Sequence, residues 1–386
     1  MSRSAAVSSD FQVAVVGGGV VGAATAFMLR RRGVSVVLLE AQDDLGLSAS
    51  GTNSGILHTG FDSHAGELET RLILRAGALR GSILDRLGTP VLRCGAVVTP
   101  ADEDERITVA GMADAARANG IDVRLNAGGA LEVPGESVTD PVAFTLAMAG
   151  AVRADGAEVR TRFRVTALER AGSAVRLSEP GGDAVTAQVA VNCAGLYADE
   201  VAQLAGDDSF EIYPRKGEFF VFDLPARLER ILLPVPTERT KGVLVFPTVD
   251  GKVIAGPTAH DQDDKEDWSV RPDAADEVLP KAVRAFPPLE GADPIASYAG
   301  LRPAGRGVNY AISSSAVFEG LINVAAIRST GLTASLGIGE HVTGLVVELG
   351  IDVEAERSLP APDTTKETAA DPWWRRTARH RAEVAS

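Results

Sequence analysis

Cysteine is nearly absent. The two in 386 residues, Cys94 and Cys193, lie far apart and form no C-x-x-C pair, which excludes a disulfide framework and any cysteine-held metal or iron–sulfur site. So little cysteine fits a reducing cytoplasm. Positive charge is also in deficit. Lys and Arg number 38 against 52 Asp and Glu, a formal net charge of −14, and no arginine-lysine stripe offsets it, so nucleic acid is not an expected partner. Histidine is limited to five residues, leaving few groups that titrate near neutrality. Only residues 13–29 approach a membrane-spanning apolar run. A glycine cluster interrupts them, and Arg30, Arg31 and Arg32 follow the run instead of preceding it, which argues against a signal anchor. With 45% hydrophobic residues, the chain can build two domains with real cores.

Residues 13–40 carry the most specific pattern. The apolar residues 13–16 predict a buried parallel strand, Gly17, Gly19 and Gly22 follow in G-x-G-x-x-G spacing, residues 23–32 predict a helix, and residues 34–39 predict a second strand ending at Glu40. Gly17 permits the turn, Gly19 lets a pyrophosphate approach the backbone, and Gly22 lets helix and strand close together. The helix start then offers free N–H groups and the positive end of its dipole to phosphate. Glu40 is placed to accept hydrogen bonds from the ribose hydroxyls of an unphosphorylated adenosine. These features together predict a dinucleotide site.

Residues 46–60 are dense in Gly, Ser, Thr and Asn and predict an irregular loop running along the ligand. Helices are expected at 68–87, 103–119, 141–153 and 332–349, the third capped by Asp140 with Pro141 at its first position. Strands are expected at 93–99, 158–169, 174–177, 185–193 and 321–326. Residues 210–254 change to short strands punctuated by Pro214, Pro234, Pro236 and Gly251, the pattern of an antiparallel sheet. The acidic stretch 260–267 reads as a solvated loop.

The expected architecture is α/β with an α+β second domain: a Rossmann-like domain around a central parallel sheet, assembled from residues 11–80, 140–209 and 300–350, and a substrate domain from residues 81–139 and 210–299. Residues 351–386 form a tail expected to be partly disordered. Its Trp373, Trp374, Arg375, Arg376, Arg379 and Arg381 suit either a packed terminal helix or a docking contact with an anionic membrane surface or partner subunit. The second option would place the protein at the inner face of a membrane.

Four segments resemble the FAD-dependent oxidoreductases of the D-amino-acid oxidase superfamily: VVGGGVVGAATA with LLE, SGTNSGILHTG, VNCAGLYADEVAQLAG, and YAGLRPAG followed by INVAAIRSTGLTASLGIGEHV. The likeness spans about residues 11–350. Within the superfamily, NSGILH, YPRKGEFFVFD and TKGVLVFPTVDGKVIAGPT look most like the branch of glycerol-3-phosphate and L-2-hydroxyglutarate dehydrogenases. The resemblance implies FAD, held non-covalently, and hydride removal from a carbon bearing a hydroxyl. It also implies positions. Gly17, Gly18, Gly19, Val20, Gly22 and Glu40 would hold the ADP half, Val165 the adenine, and Ala194 and Gly195 the pyrophosphate. Ser50, Thr52, Asn53, Ser54 and His58 would flank the isoalloxazine, and Thr330, Gly331, Leu332 and Thr333 would face its pyrimidine ring. No metal is implied.

Oxidising an alcohol requires a group that takes the hydroxyl proton, and His58 is the candidate in the flavin-lining loop. Arg302 and Arg328 match positions that grip a substrate anion, with the planar fork suited to carboxylate or phosphate. His260, Lys241 and Arg215 are weaker candidates for substrate contact. The expected activity is therefore oxidation of a small anionic hydroxy compound, a 2-hydroxy acid or a polyol phosphate such as glycerol 3-phosphate. Electrons would pass to oxygen, a quinone or a carrier protein. Amino-acid or amine oxidation and a flavin-bearing subunit of an electron-transfer complex are the alternatives.

Overall fold

The first apolar run forms the strand Phe11–Val16, and it lies in the middle of a sheet because both its faces are covered. The computed structural model describes residues 9–236, 242–362 and 371–384. Five parallel strands run in the spatial order Glu158–Arg160, Val36–Leu39, Phe11–Val16, Ala184–Asn192 and Leu321–Ala325. An antiparallel hairpin, Ala167–Ala171 with Ala174–Ser178, extends the sheet beside Ala184–Asn192, and Ala311–Ser314 pairs antiparallel with Leu321–Ala325. On one face pack the helices Val20–Arg30, Pro141–Ala154 and Gly331–Glu348. Their small residues allow close contact: a Cβ at Gly339 would stand 2.7 Å from the Ala24 carbonyl oxygen. The helix Leu68–Leu87 packs on Gly331–Glu348 from the other side.

The second sheet has nine strands. Its longest strand, Ile212–Phe222, pairs from Ile212 to Val221 with Ala296–Gly305, and on its other edge with Val253–Gly256 and His260–Asp261. The expected domain boundary at 299/300 falls inside Ala296–Gly305, which belongs to this second sheet while carrying Arg302 toward the first. The boundary at 80/81 likewise falls inside Leu68–Leu87. A strand and a helix therefore run across both of these bounds.

Residues 158–169 do not form one strand. Pairing stops at Arg160 and resumes at Ala167, with Arg162 at φ +58° turning the chain between them. The acidic stretch is not simply solvated either: Asp267 pairs with Lys216, and Lys265 with Asp199 and Glu200. The tail contains the helix Trp373–Val384, and both indoles are buried, Trp373 edge-on to Tyr298 at 5.5 Å. Burial on this scale contributes about 3 kcal/mol per large side chain, so neither tryptophan is offered to a membrane or a partner. Among the described residues, no helix is long and apolar enough to cross a membrane.

Candidate active site

The turn after Phe11–Val16 shows what each glycine does. Gly17 adopts φ +108°, and a Cβ on it would stand 2.4 Å from the Cys193 carbonyl oxygen; a Cβ at Gly22 would meet the Gly17 oxygen at 1.9 Å. Both positions are closed by backbone. Gly19 differs: its nearest neighbour is Ser50 Oγ at 3.1 Å, and the residue borders a cleft of about 880 Å³ at the carboxyl ends of the parallel strands. Gly18 faces inward, its N–H donating to Glu40 Oε2 at 2.6 Å, with Leu45 packed against it. It therefore orients Glu40 and does not line the cleft. Glu40 Oε1 accepts from the Gln42 N–H, and burial raises the carboxyl's pKa against the pull of these backbone donors.

The cleft suits a dinucleotide along its whole length. Val20 begins a helix with no acid in its first turn, and its N–H donates to Ser50 Oγ. Val165, Ala194 and Gly195 line the cleft, as do Asn53, Gly331 and Leu332 at its far end. The helix Gly331–Glu348 starts there, also without an acidic first turn, so its free N–H groups suit an electron-rich ring edge. Thr330 and Thr333, expected to share this contact, turn their side chains into the protein. Thr330 Oγ1 donates to Glu69, and Thr333 Oγ1 accepts from the His58 N–H and donates to the Ile56 carbonyl. Cys193 also borders the cleft, but burial pushes its thiol up to about 12, which leaves it unreactive.

A second cavity, about 1270 Å³, meets the cleft at Ala49, Asn53 and Arg328. Thr52, Ser54, His58, Arg302, Arg328 and Arg215 all line it. His58 is held by a residue that sequence reasoning missed. Its Nδ1 lies 2.8 Å from Oε2 of the fully buried Glu136, whose Oε1 accepts from both the N–H and the hydroxyl of Thr59. The buried Arg80 donates to the His58 carbonyl and lies in the field of Glu136, while burial lowers its own pKa. Glu136 sits in the turn VPGESVTD, where nothing in the sequence marks it; it was reachable only through the strand that follows it, Ser137–Thr139, which pairs with Ile56–Leu57.

Arg302 projects from its strand into the cavity with the Thr258 carbonyl as an acceptor, and no carboxylate pairs with it among the described residues. Burial, reinforced by the like charge of Arg215, pushes it down to about 10. A desolvated cation of this kind favours an anion beside it. Arg328 is exposed within the cavity and leans on Asn309, which donates to Glu69. Ala326, at φ +57°, turns the chain from the last parallel strand toward it. Arg215 is matched by Asp261 in a two-point ion pair. His260 does not join the cavity lining: its Nε2 bonds Glu277 at 2.8 Å. Its register opposite Lys216 in the sheet turns it from the cavity that its neighbours Thr258 and Ala259 do line. Lys241 lies outside the described residues.

Known proteins fit this geometry. The chain is 27% identical over 367 residues to a glycerol 3-phosphate dehydrogenase of Caloramator mitchellensis, covering 90% of this chain and 76% of that protein. It is 28% identical over 362 residues to a glycerol 3-phosphate oxidase of Mycoplasma pneumoniae, covering 86% and 94%. The human mitochondrial L-2-hydroxyglutarate dehydrogenase matches at 28% over 291 residues, covering 67% and 62%. The FAD-bound structure of dithionite-reduced L-alpha-glycerophosphate oxidase from Mycoplasma pneumoniae superposes with a TM-score of 0.81 at 25% identity, covering 92% of this chain and 96% of that one. Residues 12–345 match the FAD dependent oxidoreductase family. The chain belongs to that family, and FAD is its cofactor.

Proposed function

We propose that the protein oxidises a small anionic hydroxy compound, a 2-hydroxy acid or a polyol phosphate such as glycerol 3-phosphate. The observation that carries this reading is the meeting of His58, Arg302 and Arg328 in one cavity that opens onto the far end of the dinucleotide cleft. Bound FAD supplies the hydride acceptor. Arg302 and Arg328 hold the substrate's carboxylate or phosphate, and the low exposure of the Arg302 head group strengthens that contact. His58 donates its Nδ1 proton to Glu136, which leaves Nε2 as the acceptor for the hydroxyl proton when the C–H bond breaks. The carboxylate then stabilises the imidazolium that forms. The relatives named for glycerol 3-phosphate and L-2-hydroxyglutarate support a hydroxyl over an amine as the group oxidised.

The test is an anaerobic screen of flavin absorbance. Glycerol 3-phosphate or a 2-hydroxy acid is expected to bleach the flavin, while amino acids leave it oxidised. Bleaching by amino acids alone would overturn the proposal. The electron acceptor is then found by re-oxidising the reduced enzyme with oxygen, a quinone or a carrier protein.

A further inference from the structure

The helix Trp373–Val384 lies outside the family segment, which ends at residue 345, yet it sits against the cofactor site. Its base is fixed. Trp373 and Trp374 are buried, the Trp373 backbone N–H bonds the Asp140 carboxylate, and Trp374 Nε1 donates to Asp250 at 3.2 Å. From this base the helix reaches the loop that follows Glu40. Arg376 pairs with Asp44, and the Thr377 hydroxyl donates to the Gly51 carbonyl. One turn further on, His380 lines the dinucleotide cleft itself.

Those contacts bracket the loop segment that carries Ser48 and Ser50, both of which border the cleft. Ser50 is tied in turn to the start of the phosphate-facing helix through the Val20 N–H. The loop 44–53 has little regular structure of its own: some of its polar groups bond within the loop, as Thr52 does to Ser48 and Ala49, and others reach outside it, as the Gly46 N–H does in donating to the Gly18 carbonyl. A segment so made holds its shape only when something outside braces it. We infer that the terminal helix is a wall of the FAD site, with Arg376 and Thr377 bracing the loop and His380 closing the cleft, and that this wall sets how slowly the bound cofactor leaves.

Truncation before Trp373 would strip the core of two indoles, so the test uses the polar ties. Holoenzyme carrying Arg376→Ala with Thr377→Val, and separately His380→Ala, is diluted, and FAD release is followed as the rise in free-flavin fluorescence. Release at least tenfold faster than wild type is expected for the double variant. Release within twofold of wild type would overturn the inference. A second measurement needs no variant: amide hydrogen exchange across residues 371–384 of the wild-type protein, with FAD bound and after its removal. Slower exchange with FAD is expected, and unchanged exchange in a protein that demonstrably rebinds FAD counts against the wall. Wild-type protein that takes up no FAD would overturn the cofactor assignment instead, so the two failures are distinguishable.

Discussion

Glu136 and His58 face one another across 2.8 Å, and only the histidine reaches the cavity. The carboxylate is fully buried and engages three donors at once, on His58 and Thr59. An acid so placed fixes the imidazole tautomer and orients the ring, leaving Nε2 toward the cavity.

Glu136→Gln keeps the volume and removes the charge. The expected result is a fall in kcat of about 10²-fold, because the imidazolium that forms as the hydroxyl proton arrives loses its counter-charge. KM for the substrate anion changes little, because the arginines are untouched. Glu136→Ala should also lower stability by about 2–3 kcal/mol, since it orphans buried donors. Stopped-flow reduction across pH and denaturant unfolding check the two effects separately.

Arg302→Ala removes a cation that no carboxylate among the described residues pairs with. KM should rise roughly 100-fold, the scale of a lost charge-assisted hydrogen bond in a dry site, with a smaller change in kcat. Arg302→Lys should recover only part of this, because an ammonium cannot reproduce the planar fork. Steady-state kinetics with saturating FAD decide it, and an unchanged KM in Arg302→Ala would exclude the residue from anion binding.

Much of this was legible in the sequence because it depends on local pattern. The glycine turn, the helix Leu68–Leu87 and the Asp140-Pro141 helix start are set by neighbours a few residues away, and they occur where periodicity and capping predict them. His58, Arg302 and Arg328 were visible through resemblance, and all three line one cavity. Glu136 was not visible. It acts on a residue 78 positions away, and a lone acid in a turn has no periodic signature. The terminal helix was ambiguous for a similar reason: Trp373 and Trp374 suit a packed helix or a surface contact alike until Tyr298 and Asp250, far away in the chain, are seen to cover them.

Acid should loosen the second lobe's hold on the cleft. Lys216 is almost fully buried, and its hydrogen bond holds the Asp267 carboxyl down to about 2. A carboxyl with a depressed folded pKa contributes stability that is present above the unfolded value of 3.8 and is lost as pH falls from there through about 2. Asp267 is partly exposed, so the contribution is discounted for screening to roughly 1 kcal/mol. Its neighbours Glu266 and Trp268 border the cofactor cleft. The loop is therefore expected to detach between about pH 4 and pH 2, with a red shift in tryptophan emission and faster FAD release. Asp267→Asn should show the faster release already at pH 7, because it leaves the Lys216 ammonium buried and unpaired.

The glycines separate folding from cofactor binding. At Gly22 a methyl would lie 1.9 Å from the Gly17 oxygen, a backbone atom that cannot step aside without moving the first parallel strand. Gly22→Ala is therefore expected to yield protein with little soluble yellow product and a lowered melting temperature even without FAD. At Gly19 the same methyl meets only the Ser50 hydroxyl at 3.1 Å, and the rest of its space is the cleft. Gly19→Ala should leave the melting temperature of the FAD-free protein near wild type while weakening FAD binding at least tenfold, because the added carbon stands where a phosphate must approach the backbone. The ratio of flavin to protein absorbance and the melting of FAD-stripped protein read these outcomes independently. Equal losses of both in the two variants would mean that Gly19, like Gly22, is packed against protein and not against the cofactor.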